Sequence, residues 1–345
     1  MNNKQRLICF DLLKFFAIYL VIWGHCIQYL VDSEAFDNPV FINIYSFHMP
    51  LFMMISGFFA RKSLENKRPS DILRNKFVEL IVPCASIGGV LLLIHSVKIL
   101  FVDAVETTSF STIFDTVIVK DLWFLKSLFC CFLLATLAFS NKKHLALKVC
   151  FTILISFFLN FYMIKRMYLF FILGIVMSYN FEVIKRYAKL ICTLSFVIFT
   201  LLLSGYDKVI YLTQIGDVKD ALMSTNVSII TQAIGAYFYN IITGLTGCTT
   251  FITLFFLLDN KFSYKNKIVT STAKIGQFTL GIYIMQYIIL ERNLPRFIQP
   301  DDSTFLSLNF IFIPFLAAII LTACYWITRL ITRNRIMTFL LLGKR

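Results

Sequence analysis

The sequence predicts an all-α, polytopic membrane protein with about ten transmembrane helices and both termini in the cytoplasm. Three observations carry that expectation. Of 345 residues, 58% are hydrophobic and only 15% are charged, with a mean hydropathy of +0.77, whereas soluble domains are about half apolar and about a quarter charged. The apolar residues, 38 Phe among them, come in blocks of roughly 15 to 25 separated by short polar clusters. Lys and Arg gather in alternate connections, as the positive-inside rule requires of a chain that crosses a bilayer repeatedly.

The predicted helices cover 7–30, 41–60, 78–101, 122–140, 145–161, 167–181, 189–205, 234–258, 275–292 and 306–330. Lys4 and Arg6 followed by an apolar run imitate a signal peptide. Asp11, Lys14 and His25 interrupt that run and no small-x-small site follows, so it reads as a retained first helix. Residues 61–77 hold Arg61, Lys62, Lys67, Arg68, Arg74 and Lys76, whereas 31–40 hold no basic residue. Summed over alternate connections, the cytoplasmic set carries roughly three times the Lys and Arg of the other, and the acids lean the opposite way. No stretch is long enough for a soluble domain, so residues 1–345 read as one membrane domain. The largest external segment is 206–233, in which 226–235 suggests a short partial helix dipping into the outer face.

The net charge of +14 would point to nucleic acid in a soluble protein, but its placement here points to lipid and topology, with no nucleic-acid partner. The nine cysteines form no C-x-x-C pair, so neither a disulfide framework nor a zinc site is signalled. No P-loop, G-x-G-x-x-G, G-x-S-x-G or H-E-x-x-H motif is present. Gly244 and Gly247 read as helix-packing positions.

Titratable groups at membrane depth are costly and face cavities or partners. On the first helix, Lys14 and His25 are eleven residues apart, which is three turns plus about 20° and about 16 Å of rise. Asp11 falls on the same face at about −40° from His25. The three form one polar stripe, read either as an Asp11–Lys14 pair with an interfacial His25 or as a functional track. His25, His48, His95, Lys126 and Gln286 come from five helices and share one predicted depth in the outer third of the bilayer. Each alone is an ordinary interface residue, but together they suggest an outward-opening polar cavity. The 61–77 cluster reads as a topology signal on anionic lipid or as a site for a phosphate-rich ligand.

At these residues the chain resembles the acyltransferase-3 family of integral membrane O-acyltransferases. RLICFDLLKFFAIYLVIWGH is similar to that family's first helix, with its basic-x10-His signature on Lys14 and His25 and its Asp at Asp11. FHMPLFMMISGFF resembles the second-helix motif, including His48, Pro50, Phe52, Ser56, Gly57 and Phe58. LWFLKSLF at 122–129, FFILGIV at 170–176 and TLGIYIMQ at 279–286 resemble later elements in the right order. One position departs: the late motif usually ends in His, and here it ends in Gln286, which hydrogen-bonds but exchanges no proton.

The resemblance implies transfer of an acyl group, commonly acetyl, from cytoplasmic acyl-CoA to a hydroxyl on a cell-surface polysaccharide, lipid-linked glycan or related acceptor in the bacterial inner membrane. On that reading His25 and His48 are catalytic, with Lys14 and Asp11 setting the polarity of the stripe. Arg61, Lys62, Arg74 and Lys76 hold the CoA phosphates. Trp123, Lys126, Gln286 and His95 line the acceptor pocket, and no metal is needed. Trp123 has a second reading as an interfacial belt residue. The rival is a proton-coupled transporter or flippase that uses Asp11, Lys14 and His25 as a relay, but no matching inverted halves are legible in the sequence.

Overall fold

A computed structural model describes residues 8–32, 34–101, 121–140, 143–159, 163–213, 215–223, 226–259, 266–291, 294, 296–298 and 305–344. Lys4, Arg6 and most of the 102–121 connection lie outside the described residues. The described chain is helical, and its only β pairing is an isolated bridge from Val31 to Ile298. The helices are α1 (Ile8–Leu30), α2 (Pro39–Asn66), α3 (Pro69–Lys76), α4 (Val82–Phe101), α5 (Trp123–Phe139), α6 (Leu145–Phe158), α7 (Ile164–Tyr179), α8 (Phe181–Arg186), α9 (Ala188–Leu203), α10 (Lys208–Leu212), α11 (Ile215–Met223), α12 (Val227–Asp259), α13 (Lys267–Gly276), α14 (Thr279–Gln286), α15 (Phe305–Ile331) and α16 (Arg335–Leu342). Five helical stretches have the length and composition to cross a membrane: α1, α2, Pro69–Leu93, α12 and α15. The bent pair α13–α14 makes a sixth if it counts as one span. Helices α5, α6 and α9 are apolar but shorter.

Helix covers most of the described part of each predicted stretch, but those predicted over 122–140, 145–161, 167–181 and 189–205 are too short to count among the candidate spans, and other differences have local causes. Helix α12 begins at Val227, so 226–235 is no separate partial helix. Asn226 opens it, its Oδ1 accepting the Ser228 amide at 3.0 Å. The span predicted over 275–292 is broken: α13 and α14 meet at 64° around Gln277 and Phe278. After Gln286 the helix widens into a π turn over Tyr287–Glu291. Helix α3 has Pro69 in its first turn, Asp71 near its start, and Arg74 and Lys76 in its last turn, an order that suits the helix dipole.

The chain forms two compact units. The first comprises residues 1–59 and 170–326, and the second 60–169 and 327–345. In the first, α1 packs on α12, α13 and α14, and α9 packs along α12. Apolar burial adds little between helices in lipid, so close packing of small and aromatic groups holds them. Gly57 and Gly174 form a reciprocal seam. A Cβ on Gly57 would strike the Phe171 carbonyl, and one on Gly174 would strike the Met54 carbonyl. Gly247 abuts Phe47 and Phe199, which bears out its packing role. Beside it Thr250 Oγ1 donates to Ser195 Oγ at 2.9 Å, joining α12 to α9. The abundant phenylalanine is spent in knots such as Phe10, Phe58, Phe181 and Phe256, with centroids 4.4 to 6.5 Å apart.

In the second unit α3, α5 and the π turn Phe77–Ile81 pack together, and α16 packs on α4. Asn334 caps α16 by accepting the Ile336 and Met337 amides. A buried Thr152–Tyr168 hydroxyl pair at 2.9 Å ties α6 to α7.

Candidate functional site

The site is built on α1. Near its start Lys14 Nζ lies 4.0 Å from Asp11 Oδ1 and 4.7 Å from the Phe59 ring centre. Gln277, in the break between α13 and α14, donates from Nε2 to Asp11 Oδ2 at 3.2 Å. The Asp11 carboxylate is therefore buried with two partners, and the predicted i,i+3 pair forms. Gln277 went unnoticed in the sequence because a helix break cannot be read from hydropathy alone.

Eleven residues further along α1, His25 Nδ1 faces Glu291 Oε1 at 3.3 Å. Both side chains are largely enclosed, at 13% and 23% exposure. The contact lacks hydrogen-bond geometry, and loose geometry is common in catalytic pairs before substrate binds. Glu291 falls near the end of the helix predicted over 275–292 and is not singled out by any sequence motif. In an α-helix a residue five positions after Gln286 points elsewhere, but the wide i,i+5 repeat of a π turn brings Gln286 and Glu291 back toward one face. Helix α14 and this turn both pack on α1.

Gln286 is fully buried, and both its amide atoms lack a hydrogen-bond partner. A buried amide left unsatisfied costs about 1–3 kcal/mol, and such groups recur where a ligand or water completes the set. His48, on α2, is buried with Nδ1 2.8 Å from the Ile44 carbonyl. A carbonyl only accepts, so Nδ1 carries the proton and Nε2 remains an acceptor. Between the two histidines lies Tyr45. Its ring centre is 4.4 Å from His48 and 6.3 Å from His25, and its hydroxyl donates to Gln28 Oε1 at 3.2 Å. Gly24 makes room for it, since a Cβ there would run into the Tyr45 ring. Thus His25, His48 and Gln286 fall in the first unit together with Asp11 and Lys14.

The remaining predicted site residues belong to the second unit. Trp123 opens α5, after Leu122 in the left-handed region at φ 50°. Lys126 is half-buried, within electrostatic range of Cys84 and Asp121. His95 lies on α4, and its side chain is outside the described residues. In the basic stretch Arg61 pairs with Glu65 at 3.4 Å. Lys76 pairs with Glu79 at 2.6 Å and stands 4.6 Å over the Phe132 ring. Lys62 and Arg74 are exposed.

Comparison with known proteins agrees with the motifs. Two nodulation proteins NolL are similar over short stretches. The one from Mesorhizobium japonicum is 39% identical over 85 residues, covering 24% of this chain and 22% of that protein. The one from Sinorhizobium fredii is 37% identical over 86 residues, covering 24% and 23%. The chain thus matches less than a quarter of the length of these curated relatives. No solved structure matches. A family profile described as an acyltransferase domain, Acyl_transf_3, covers residues 7–329, a span that runs through both compact units. With that match over nearly its whole length, this multi-pass membrane chain belongs to the acyltransferase-3 family.

Proposed function

We propose that this chain is a membrane O-acyltransferase that moves an acyl group, acetyl in the simplest case, from cytoplasmic acyl-CoA to a hydroxyl of a cell-surface glycan or lipid-linked saccharide. It acts as one transmembrane domain of ten spans in the bacterial inner membrane, with both termini in the cytoplasm. The observation that carries the reading is the enclosed contact between His25 on α1 and Glu291 in the turn after α14, in a chain of this family. Family membership favours transfer chemistry over the transporter reading.

In this mechanism Glu291, 3.3 Å from His25 Nδ1, closes onto the Nδ1 proton when substrate binds and leaves Nε2 to accept. Nε2 takes the proton of the acceptor hydroxyl as its oxygen attacks the thioester carbonyl. The tetrahedral adduct collapses, the carbon–sulfur bond breaks, and Nε2 returns the proton to the departing CoA thiolate. The products are ester and CoA thiol. Imidazole suits both steps because it gains and loses protons near neutral pH. His48, with Nε2 as acceptor, orients the acceptor hydroxyl. Lys14, held by Asp11, draws the thioester arm along α1. Of the basic set, Lys62 and Arg74 offer exposed cations for the CoA phosphates. Arg61 and Lys76 are engaged by neighbouring carboxylates and contribute mainly to local structure.

The test uses purified full-length protein in lipid with acyl-labelled acetyl-CoA and a saccharide acceptor. Label should enter alkali-labile ester, and His25→Ala should abolish it while leaving membrane insertion intact. Full activity in that variant rejects the mechanism, and saccharide flux without ester formation rejects the enzyme.

A further inference from the structure

Beside the His25–Glu291 pair, tyrosines from four different elements converge. Tyr45, on α2, is within electrostatic range of Tyr29 on α1, Tyr211 on α10, Tyr283 on α14, and Glu291. The rings are in register with the imidazole. Tyr29 is edge-on to His25 at 5.5 Å, Tyr45 is stacked on it at 6.3 Å, and Tyr211 is edge-on to Tyr45 at 6.2 Å. All four tyrosines are half-buried, neither sealed in the core nor open to the surroundings.

Tyr211 is held there by a dedicated set of bonds. The buried Asn240 donates to the carbonyls of Ile210 and Tyr211 at 3.1 Å each and accepts from the Tyr206 hydroxyl at 2.7 Å. Asp207 caps α10 by accepting the Ile210 amide, and Lys208 reaches Asp37 at 3.1 Å. Phe36, next to Asp37, packs on Tyr211 at 5.8 Å. Interfacial belt residues sit singly against lipid. Here a polar anchor carries a ring onto Tyr45, the neighbour of His25.

Tyrosine offers an apolar face and a hydroxyl rim on one rigid side chain. A saccharide offers the complement, a ring with C–H-rich faces and hydroxyl edges. The fully buried Gln286, one turn after Tyr283 on α14, adds a donor and an acceptor that no group among the described residues satisfies. We infer that Tyr29, Tyr45, Tyr211 and Tyr283 form the acceptor subsite, which holds one sugar ring of a glycan with a hydroxyl turned toward His25. This places the acceptor on three tyrosines outside the quoted motifs together with Tyr283 of the 279–286 element, and it rests on the acyltransferase reading above.

The experiment has one arm that needs no turnover. Full-length protein in nanodiscs is probed with methyl β-glucoside, methyl β-N-acetylglucosaminide and methyl α-fucoside by saturation-transfer NMR. At least one glycoside should receive saturation on its ring C–H protons. Tyr211→Ala should weaken its binding about tenfold, and Tyr211→Phe, which keeps the ring, should restore most of it. Phe315→Ala, on an exposed apolar face of α15, should change nothing. In the second arm, Tyr211→Ala should raise KM for the glycoside about tenfold, with the loss concentrated in KM rather than kcat. Absence of saturation transfer to every glycoside overturns the subsite. So does binding that Tyr211→Ala leaves intact, or a kcat loss at unchanged KM. A wild-type protein that binds glycoside through Tyr211 yet forms no ester upholds the subsite and overturns the activity. Ester formation at a KM indifferent to Tyr211 upholds the activity and overturns the subsite.

Discussion

Replacing Glu291 with Gln keeps the shape of the side chain and removes its charge. In the wild-type protein the carboxylate sits 3.3 Å from His25 Nδ1. When His25 takes the acceptor proton it becomes a cation, and Glu291 stabilises that state more than the neutral one. Coulomb's law at an effective dielectric near 20 allows about 5 kcal/mol at this separation. The pair is partly open to solvent, at 13% and 23% exposure, and the same charges interact with nearby water. If substrate binding closes this loose contact into a charge-assisted hydrogen bond, such a bond is worth about 1.5–3 kcal/mol net, so about 2 kcal/mol is the expected loss. At 1.36 kcal/mol per tenfold, Glu291→Gln should lower kcat about 30-fold. KM for acyl-CoA should hold, because the carboxylate meets the imidazole and not the thioester arm. Glu291→Asp, which keeps the charge on a shorter stem, should recover part of the rate. The assay is ester formation at saturating acyl-CoA and varied acceptor. A kcat within about threefold of wild type, or a loss carried wholly by KM, would refute the pairing as a catalytic device.

Three further outcomes follow from the same structure. Gly57→Ala or Gly174→Ala should lower thermal stability in detergent by several degrees, consistent with about 1–3 kcal/mol of overpacking, whereas Gly89→Ala, with open space around it, should be neutral or slightly stabilising. Gln286→Leu should raise the melting temperature, because it removes an unsatisfied buried amide, while sharply reducing acceptor turnover; a variant that is both stable and fully active would remove Gln286 from the site. Combined Lys62→Ala and Arg74→Ala should raise KM for acyl-CoA about tenfold at low salt, with the gap narrowing as salt is added, and no change in KM would place the CoA phosphates elsewhere.

Much of the fold was legible because hydropathy reports it directly. The first helix, expected over 7–30, runs Ile8–Leu30, since nothing in that run opposes helix formation. The break between α13 and α14 was not legible. Gln277 and Phe278 are ordinary helix residues, and the break reflects Gln277 bonding Asp11 and Gly276 lying against the Asp11 carbonyl, contacts 266 and 265 positions apart in sequence. In the site, Asp11, Lys14 and His25 could be placed on one face by helical arithmetic alone. The partner of His25 could not, because that arithmetic assumes 3.6 residues per turn and the chain departs from it at Tyr287–Glu291. Tyr211 escaped notice for another reason. Its placement depends on Asn240, on another helix, and no local pattern links a polar anchor to a ring 29 residues before it.

The widened turn at Tyr287–Glu291 is in effect one residue too many for a regular helix. Removing a single residue there, Ile288 or Ile289, would let the coil close to its usual pitch with the acid four positions after Gln286, still within about 40° of it around the helix. The pitch of this segment and the number of residues in it therefore have to match if the carboxylate is to face the first helix. An acid one position closer to the Gly-Ile-Tyr element would reach the first-helix histidine from an ordinary α turn, with no widened turn needed.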